Sequence, residues 1–214
     1  MLPETSPGYR LAEAALELGA IKVDAQHPFT WASGHRMPVY NDNRLLLGQH
    51  RYRQLVSEGF QSVMRAAGIQ ADVVAGTATA GIPHATTLAN DLRCPLIYVR
   101  PAAKEHGLQN QVEGPLSSGQ KVVVVEDLVS TGGSVLKAVQ ALRGKGAEVE
   151  HCLGIFSYGF PDTLEKFRAQ NCELHTLLTF DQLLEFMSRQ GRLEHSQLEQ
   201  LKTWRTDPYG WATK

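Results

Sequence analysis

The sequence predicts an α/β fold: a central, mostly parallel sheet covered by helices, with elaborations at both ends of the chain. Three observations carry this. Short runs rich in Val, Ile and Leu alternate with helical patterns from residue 71 to residue 179, the rhythm of parallel strands joined by crossover helices. Four consecutive valines, 122–125, suit a central strand buried on both faces. The 214 residues, 43% hydrophobic and 20% charged, suffice for one core with appended pieces.

Each element follows from its local pattern. Leu11, Ala14, Ala15 and Leu18 fall at helical spacing and predict a helix over 9–19, stopped at Gly19. Residues 27–47 mix aromatics with Gly, Pro and Asn, and predict short strands and turns. A helix over 48–67 turns Leu55, Phe60, Val63 and Met64 inward and ends at Gly68. Strands are then expected at 71–75, 95–99, 121–125, 149–156 and 173–179, with helices at 82–92, 134–143 and 162–169. Two last helices are expected at 181–189 and 193–204. One domain spans 1–214: an N-terminal elaboration (1–47), a core (48–180) and C-terminal helices (181–214).

Composition weighs against several functions. Lys+Arg number 21 against 22 Asp+Glu, a net charge of −1, which disfavours a protein that holds nucleic acid by neutralising phosphates. Cys94, Cys152 and Cys172 are odd in number and form no CxxC pair, against a disulfide framework or a cysteine zinc site. The eight histidines never fall at HxxxH or HExxH spacing. The start has no basic, then apolar, leader, and no apolar run approaches the ~20 residues of a membrane span. A reduced, cytoplasmic protein without a membrane partner is expected.

The chemistry concentrates after the valine strand. Glu126 and Asp127 come first, then Leu128, Val129, Ser130, Thr131, Gly132, Gly133 and Ser134 lead into a helix. A glycine- and hydroxyl-rich turn at a helix N-terminus gathers backbone N–H groups around one point, where the helix dipole favours an anion. Neither the lysine of GxxxxGK[ST] nor the order GxGxxG is present, so the standard nucleotide motifs do not apply. The two acids suit sugar hydroxyls or, through water, a hard cation such as Mg²⁺. The bland alternative is an ordinary strand–helix turn with solvated acids. A second small-residue turn, 76–83 (GTATAGIP), is either another anion site or a packing turn. About twenty residues after Val99 lack apolar periodicity, the length of a lid or of a solvated loop. They carry Arg100, Lys104 and His106, which could converge on a polyanion.

The strand, acid pair and Thr/Gly/Ser turn resemble the signature of the type I phosphoribosyltransferases. The resemblance implies that family's fold, a mostly parallel sheet flanked by helices with an N-terminal hood. It also implies that Glu126 and Asp127 face the ribose of phosphoribosyl pyrophosphate, with Leu128 to Ser134 holding its 5′-phosphate and the 76–83 turn lining the pyrophosphate. The pattern RxxxKxHG from Arg100 to Gly107, followed by Glu113-Gly114, is similar to the catalytic loop of the orotate phosphoribosyltransferase family. Phe29 to Gly34, with Pro38, Tyr40 and Asp42-Asn43-Arg44, resembles its hood, and Leu201 to Pro208 a C-terminal pattern of one bacterial branch.

This second resemblance implies transfer of the phosphoribosyl group to orotate, giving orotidine 5′-monophosphate and pyrophosphate in de novo pyrimidine (UMP) biosynthesis. It makes Lys104, His106 and Asp127 catalytic. Arg100 joins Lys104, His106 and residues 126–134 as phosphoribosyl pyrophosphate ligands, and Ser130 and Arg44 are assigned to orotate. Mg²⁺ is the implied cofactor, held mainly by substrate oxygens and water, and a homodimer shares the loop across subunits. Arg44 is equally open to reading as a surface or interface ion pair. Tyr158, Phe160, His84 and His151 are expected to be structural, and Trp31, Trp204 and Trp211 to lie in core or interface. Pro101, Ala80 and Ala32 stand where some relatives have lysine, which puts more of the pyrophosphate contact on Arg100, Lys104 and His106. The rivals are a transferase for another base and a non-catalytic sensor that binds nucleic acid.

Overall fold

The computed structural model describes residues 3–30, 36–102 and 111–211. Helix α1 (Pro7–Glu17) starts where the Ser6 hydroxyl accepts a hydrogen bond from the Tyr9 N–H and Pro7 occupies the first turn. A small hood follows: β1 (Ile21–Val23) pairs antiparallel with β4 (Val39–Asn41), and β2 (Phe29–Thr30) with β3 (Arg36–Met37). A 3₁₀ helix, Asn43–Gly48, leads into α2 (His50–Ala67), which ends on Gly68 in the left-handed conformation.

The core contains β5 (Val73–Thr77), α3 (Gly81–Leu92), β6 (Leu96–Val99), β7 (Val112–Glu113), β8 (Lys121–Val129), α4 (Gly133–Arg143), β9 (Glu148–Ser157), α5 (Pro161–Ala169) and β10 (Glu173–Thr179). Helices α6 (Phe180–Arg189) and α7 (His195–Thr206) close the chain. The six strands lie in the order β10-β9-β8-β5-β6-β7, parallel except for β7. From β5 the chain moves one way to β6 and β7, then returns to β8 on the other side of β5 and continues outward. The seam between β5 and β8 is therefore the point where winding reverses, and the crevice at its carboxyl end is where such sheets bind ligands.

The valine run shows how the period of two builds both layers. Val123 and Val125 enter the core shared with Leu11, Phe60, Leu88 and Leu153; Val122 and Val124 enter the opposite core with Val135, Leu142 and Phe167. Trp204 is fully buried among Tyr158, Phe160 and Phe180, and its indole N–H reaches Met37 Sδ at 3.2 Å. That contact ties the last helix to the hood. Trp204 thus lies in the core as expected and Trp211 packs on its edge; Trp31 lies outside the described residues.

Two elements depart from the sequence expectation. Strand β8 was expected over 121–125 but runs to Val129, because β9 continues the ladder past the end of β5: Glu126 pairs with Gly154, Leu128 with Phe156 and Val129 with Ser157, whereas the pairing with β5 stops at Val125. The stretch after Val99, expected to lack structure, folds back as β7, a strand too short to announce itself by periodicity. Among the described residues no helix is long and apolar enough to cross a membrane.

Candidate active site

Where β8 outruns β5, its free edge borders a cleft of about 1000 Å³. Five segments meet there: Asn41, Asp42 and Arg44 of the hood; Thr77 at the end of β5 with Ala78 to Ala80 after it; Arg100, Pro101 and Gln111; Glu126, Asp127 and Leu128 of β8; and Gly133, Ser134 and Lys137 of α4. The sequence alone assigned most of these to one site.

The floor is the acid pair. Glu126 is buried, and its carboxylate accepts a hydrogen bond from the Asp127 N–H at 3.1 Å. Burial, then hydrogen bonding to and repulsion from the Asp127 carboxylate, pushes the Glu126 carboxyl up to about 8. Asn43, buried below the hood, donates from Nδ2 to the Asp127 carbonyl at 2.6 Å and anchors the hood to the acid strand. Thr77 Oγ1 donates to the Val125 carbonyl at 3.1 Å, stitching the carboxyl end of β5 to β8 after their ladder has ended.

The α4 N-terminus forms one wall. Gly132 caps it with φ +76°, and a Cβ there would come within 2.7 Å of Phe167 Cε2, so the turn takes only glycine. The helix ladder begins with the Leu136 N–H donating to the Gly132 carbonyl, which leaves the preceding amides without helical acceptors beside the cleft. Gly133 and Ser134 line the cleft. Val129 instead buries its side chain in the α4–α5 core, and Ser130, Thr131 and Gly132 form the turn just outside the lining. Thr163 holds this turn by donating to the Ser130 carbonyl at 2.8 Å.

Arg44 pairs bidentately with Asp42, Nε to Oδ1 at 2.6 Å and Nη2 to Oδ2 at 2.9 Å. This arginine is thus an ion pair that stands at the cleft. Arg100 faces the same space at the foot of the long loop. Its N–H donates to the Gln111 carbonyl at 2.8 Å and the Gln111 amide returns a bond to the Arg100 carbonyl at 3.0 Å, so the two feet are clasped. Lys104 and His106 lie between those feet, outside the described residues.

Two polar cleft residues escaped the sequence reading. Lys137 follows Ser134 by three positions, one helical turn on the same face, and only that spacing from the glycine turn could have singled it out. Asn41 lines the cleft with its amide nitrogen and oxygen both buried and unpartnered. Such a group costs roughly 1–3 kcal/mol unless something supplies the missing bonds.

Comparison with known proteins agrees with this geometry. Residues 46–157 match the phosphoribosyl transferase domain. The chain is 46% identical to orotate phosphoribosyltransferase of Listeria monocytogenes over 95% of its own length and 97% of that protein. The crystal structure of orotate phosphoribosyltransferase from Aeropyrum pernix superposes with a TM-score of 0.74 at 34% identity, covering 84% of this chain and 98% of that one. The Mycobacterium tuberculosis orotate phosphoribosyltransferase solved with 5-phospho-α-D-ribosyl 1-diphosphate superposes with a TM-score of 0.64 at 26% identity, covering 83% and 98%. With its sheet order, reversal point and acid-pair cleft, the chain belongs to the orotate phosphoribosyltransferase family and has the type I phosphoribosyltransferase fold.

Proposed function

We propose that this protein transfers the 5-phosphoribosyl group of phosphoribosyl pyrophosphate to N1 of orotate, releasing pyrophosphate, as a step of pyrimidine biosynthesis. One observation carries the reading beyond family membership: a carboxylate pair, a helix N-terminus and three cationic side chains, Arg44, Arg100 and Lys137, share one cleft at the reversal seam.

In this reaction the C1′–O bond to pyrophosphate breaks and the C1′–N1 bond to orotate forms. Positive charge develops on the ribose ring while negative charge gathers on the leaving group. The α4 amides with Ser134 hold the 5′-phosphate, and Glu126 and Asp127 accept the ribose hydroxyls. A raised Glu126 carboxyl suits that task, since hydroxyl donors or a nearby cation relieve the crowding of the two acids. The same donors fit a hard divalent cation held mainly through substrate oxygens and water. When bound, Mg²⁺ supplies charge neutralisation at the pyrophosphate.

Arg100, with Lys104 and His106 of the loop, meets the charge that grows on the pyrophosphate, and Lys137 adds a cation from α4. Closure of the loop excludes water from the developing cation. Asn41, with Arg44 and the hood backbone near Tyr40, faces the base, whose ring offers both donors and acceptors; Ser130, in the turn that borders the lining, is the further orotate contact this reading requires. No covalent nucleophile is involved. The active form is a dimer in which each loop covers its partner's cleft, and the odd cysteine count suits the cytoplasm.

The test follows orotate consumption with and without phosphoribosyl pyrophosphate and Mg²⁺, beside uracil, hypoxanthine and adenine. Orotate alone should be consumed, and only with both additions. Turnover of the other bases without orotate would defeat the assignment. Light scattering, and restored activity on mixing Lys104→Ala with Asp127→Asn chains, tests the shared loop; no rescue between two folded dimeric variants would remove it.

A further inference from the structure

We infer that His151, Glu173 and His175 bind a single zinc ion on the face of the β9–β10 ladder, away from the cleft. Strand geometry brings the three together. The parallel register sets His151 opposite Glu173 and Leu153 opposite His175, and the period of two puts Glu173 and His175 on one face of β10. His151 Nδ1 lies 3.3 Å from His175 Nε2 and 3.9 Å from Glu173 Oε2, and His175 Nε2 lies 3.6 Å from the same oxygen. A point equidistant from these three atoms sits roughly 2.1 Å from each, the length of zinc–imidazole and zinc–carboxylate bonds. All three donor atoms converge within 4.8 Å, whereas a hydrogen bond between two imidazoles would need only two of them.

The donor set selects the metal. Two neutral imidazoles and one carboxylate suit Zn²⁺ and its neighbours, not the all-oxygen preference of Mg²⁺. The histidines are half-buried while Glu173 is exposed, so an ion meets two fixed ligands and one that adjusts. Glu173 opens the site to solvent, so an ion enters from the surface. Water takes the fourth position. Because β10 is the edge of the sheet, a bound ion clips the edge strand to its neighbour.

Untagged, full-length protein, freed of metal, is titrated with Zn²⁺ by calorimetry and with Co²⁺ by visible absorption. The expected result is one ion per chain, with the intense ligand-field band of a low-coordinate site containing nitrogen. That signature separates it from oxygen-only binding at Glu126 and Asp127. His151→Gln and His175→Gln should each lower affinity more than tenfold and abolish the band, while Asp127→Asn keeps both. Zinc at a hundredfold excess over its dissociation constant should raise the Tm of the unaltered protein by about 5–10 °C and that of His175→Gln hardly at all. Should a histidine variant fail to fold, Glu173→Gln replaces it: its exposed side chain leaves the metal-free Tm unchanged, and affinity should still fall. No stoichiometric binding to the unaltered protein, equal binding by the ligand variants, or loss of the band in Asp127→Asn alone would each overturn the site.

Discussion

The β5–β8 seam and the β9–β10 edge are built from the same parallel ladder but expose different things. At the seam the two strands part after Val125 and Gly76; the freed end of β8 presents adjacent carboxylates to a cleft that five segments wall in. At the edge the ladder keeps one register from Glu173 to Thr179, and it offers only what register and pleat align: two imidazoles and one carboxylate on one face. A reversal in strand order makes room for a substrate. A constant register makes room for an ion.

Breaking the seam should have the largest effect. Lys104→Ala is expected to lower turnover at least a hundredfold, about 3 kcal/mol of barrier, with an unchanged Tm. Steady-state kinetics beside a melting curve would check it, and near-normal turnover would remove the lysine from the chemistry. His175→Gln at the edge should leave turnover as it was, which sets the two regions apart in a single assay.

Gly132→Val probes the turn that positions the phosphate wall. A positive φ and a Cβ pressed on Phe167 should together cost about 3 kcal/mol, read as a Tm drop of roughly 6–12 °C. A melting point within two degrees of the original would mean that the turn relaxes freely.

Asn41→Leu sharpens the view of the hood. Loss of the amide is expected to raise the KM for orotate about tenfold, near 1.4 kcal/mol, and to leave kcat and the KM for phosphoribosyl pyrophosphate close to the original. A fall in kcat alone would place Asn41 elsewhere in the mechanism.

The gentlest probe is pH. Glu126 has a folded-state pKa raised to about 8, so its contribution to stability is fully present below the unfolded value near 4.5 and is lost as pH rises toward 8. His84, buried with neither ring nitrogen partnered, is pushed down to about 4 by burial first and then by the charge of Arg53. It acts with opposite sign, losing stability as pH falls from about 6.5 toward 4. The two oppose each other below 6.5, which leaves 6.5–8 as the window for Glu126. There the protein should lose stability at no more than about 1.4 kcal/mol per pH unit, and Glu126→Gln should flatten the slope. Equal slopes in denaturant titrations of both proteins would contradict the raised carboxyl.

Much of this molecule was legible in the chain. The valine strand, the acids after it and the glycine turn announce the site because each departs sharply from what a mere packing segment would use. Asn41 and Lys137 were illegible for the converse reason: one polar residue in a turn and one lysine on a helix look like solvated surface until the fold sets them against a cleft. His151 and His175 stand 24 positions apart, and no local spacing rule joins residues that only strand register brings together. Val129 was expected in the phosphate loop and is instead the buried end of β8, since the length of a strand depends on its neighbour's.

The sequence by itself determined the alternation of strands and helices, the two-sided burial of β8 and the residue types of the anion turn. These follow from periodicity and from backbone requirements that act over a few residues. Only the tertiary structure decided where β5 releases β8, which hood residues overhang the acids, how far Glu126 is desolvated and which histidines meet. Those depend on strand order and register, set by the packing of segments far apart in the chain.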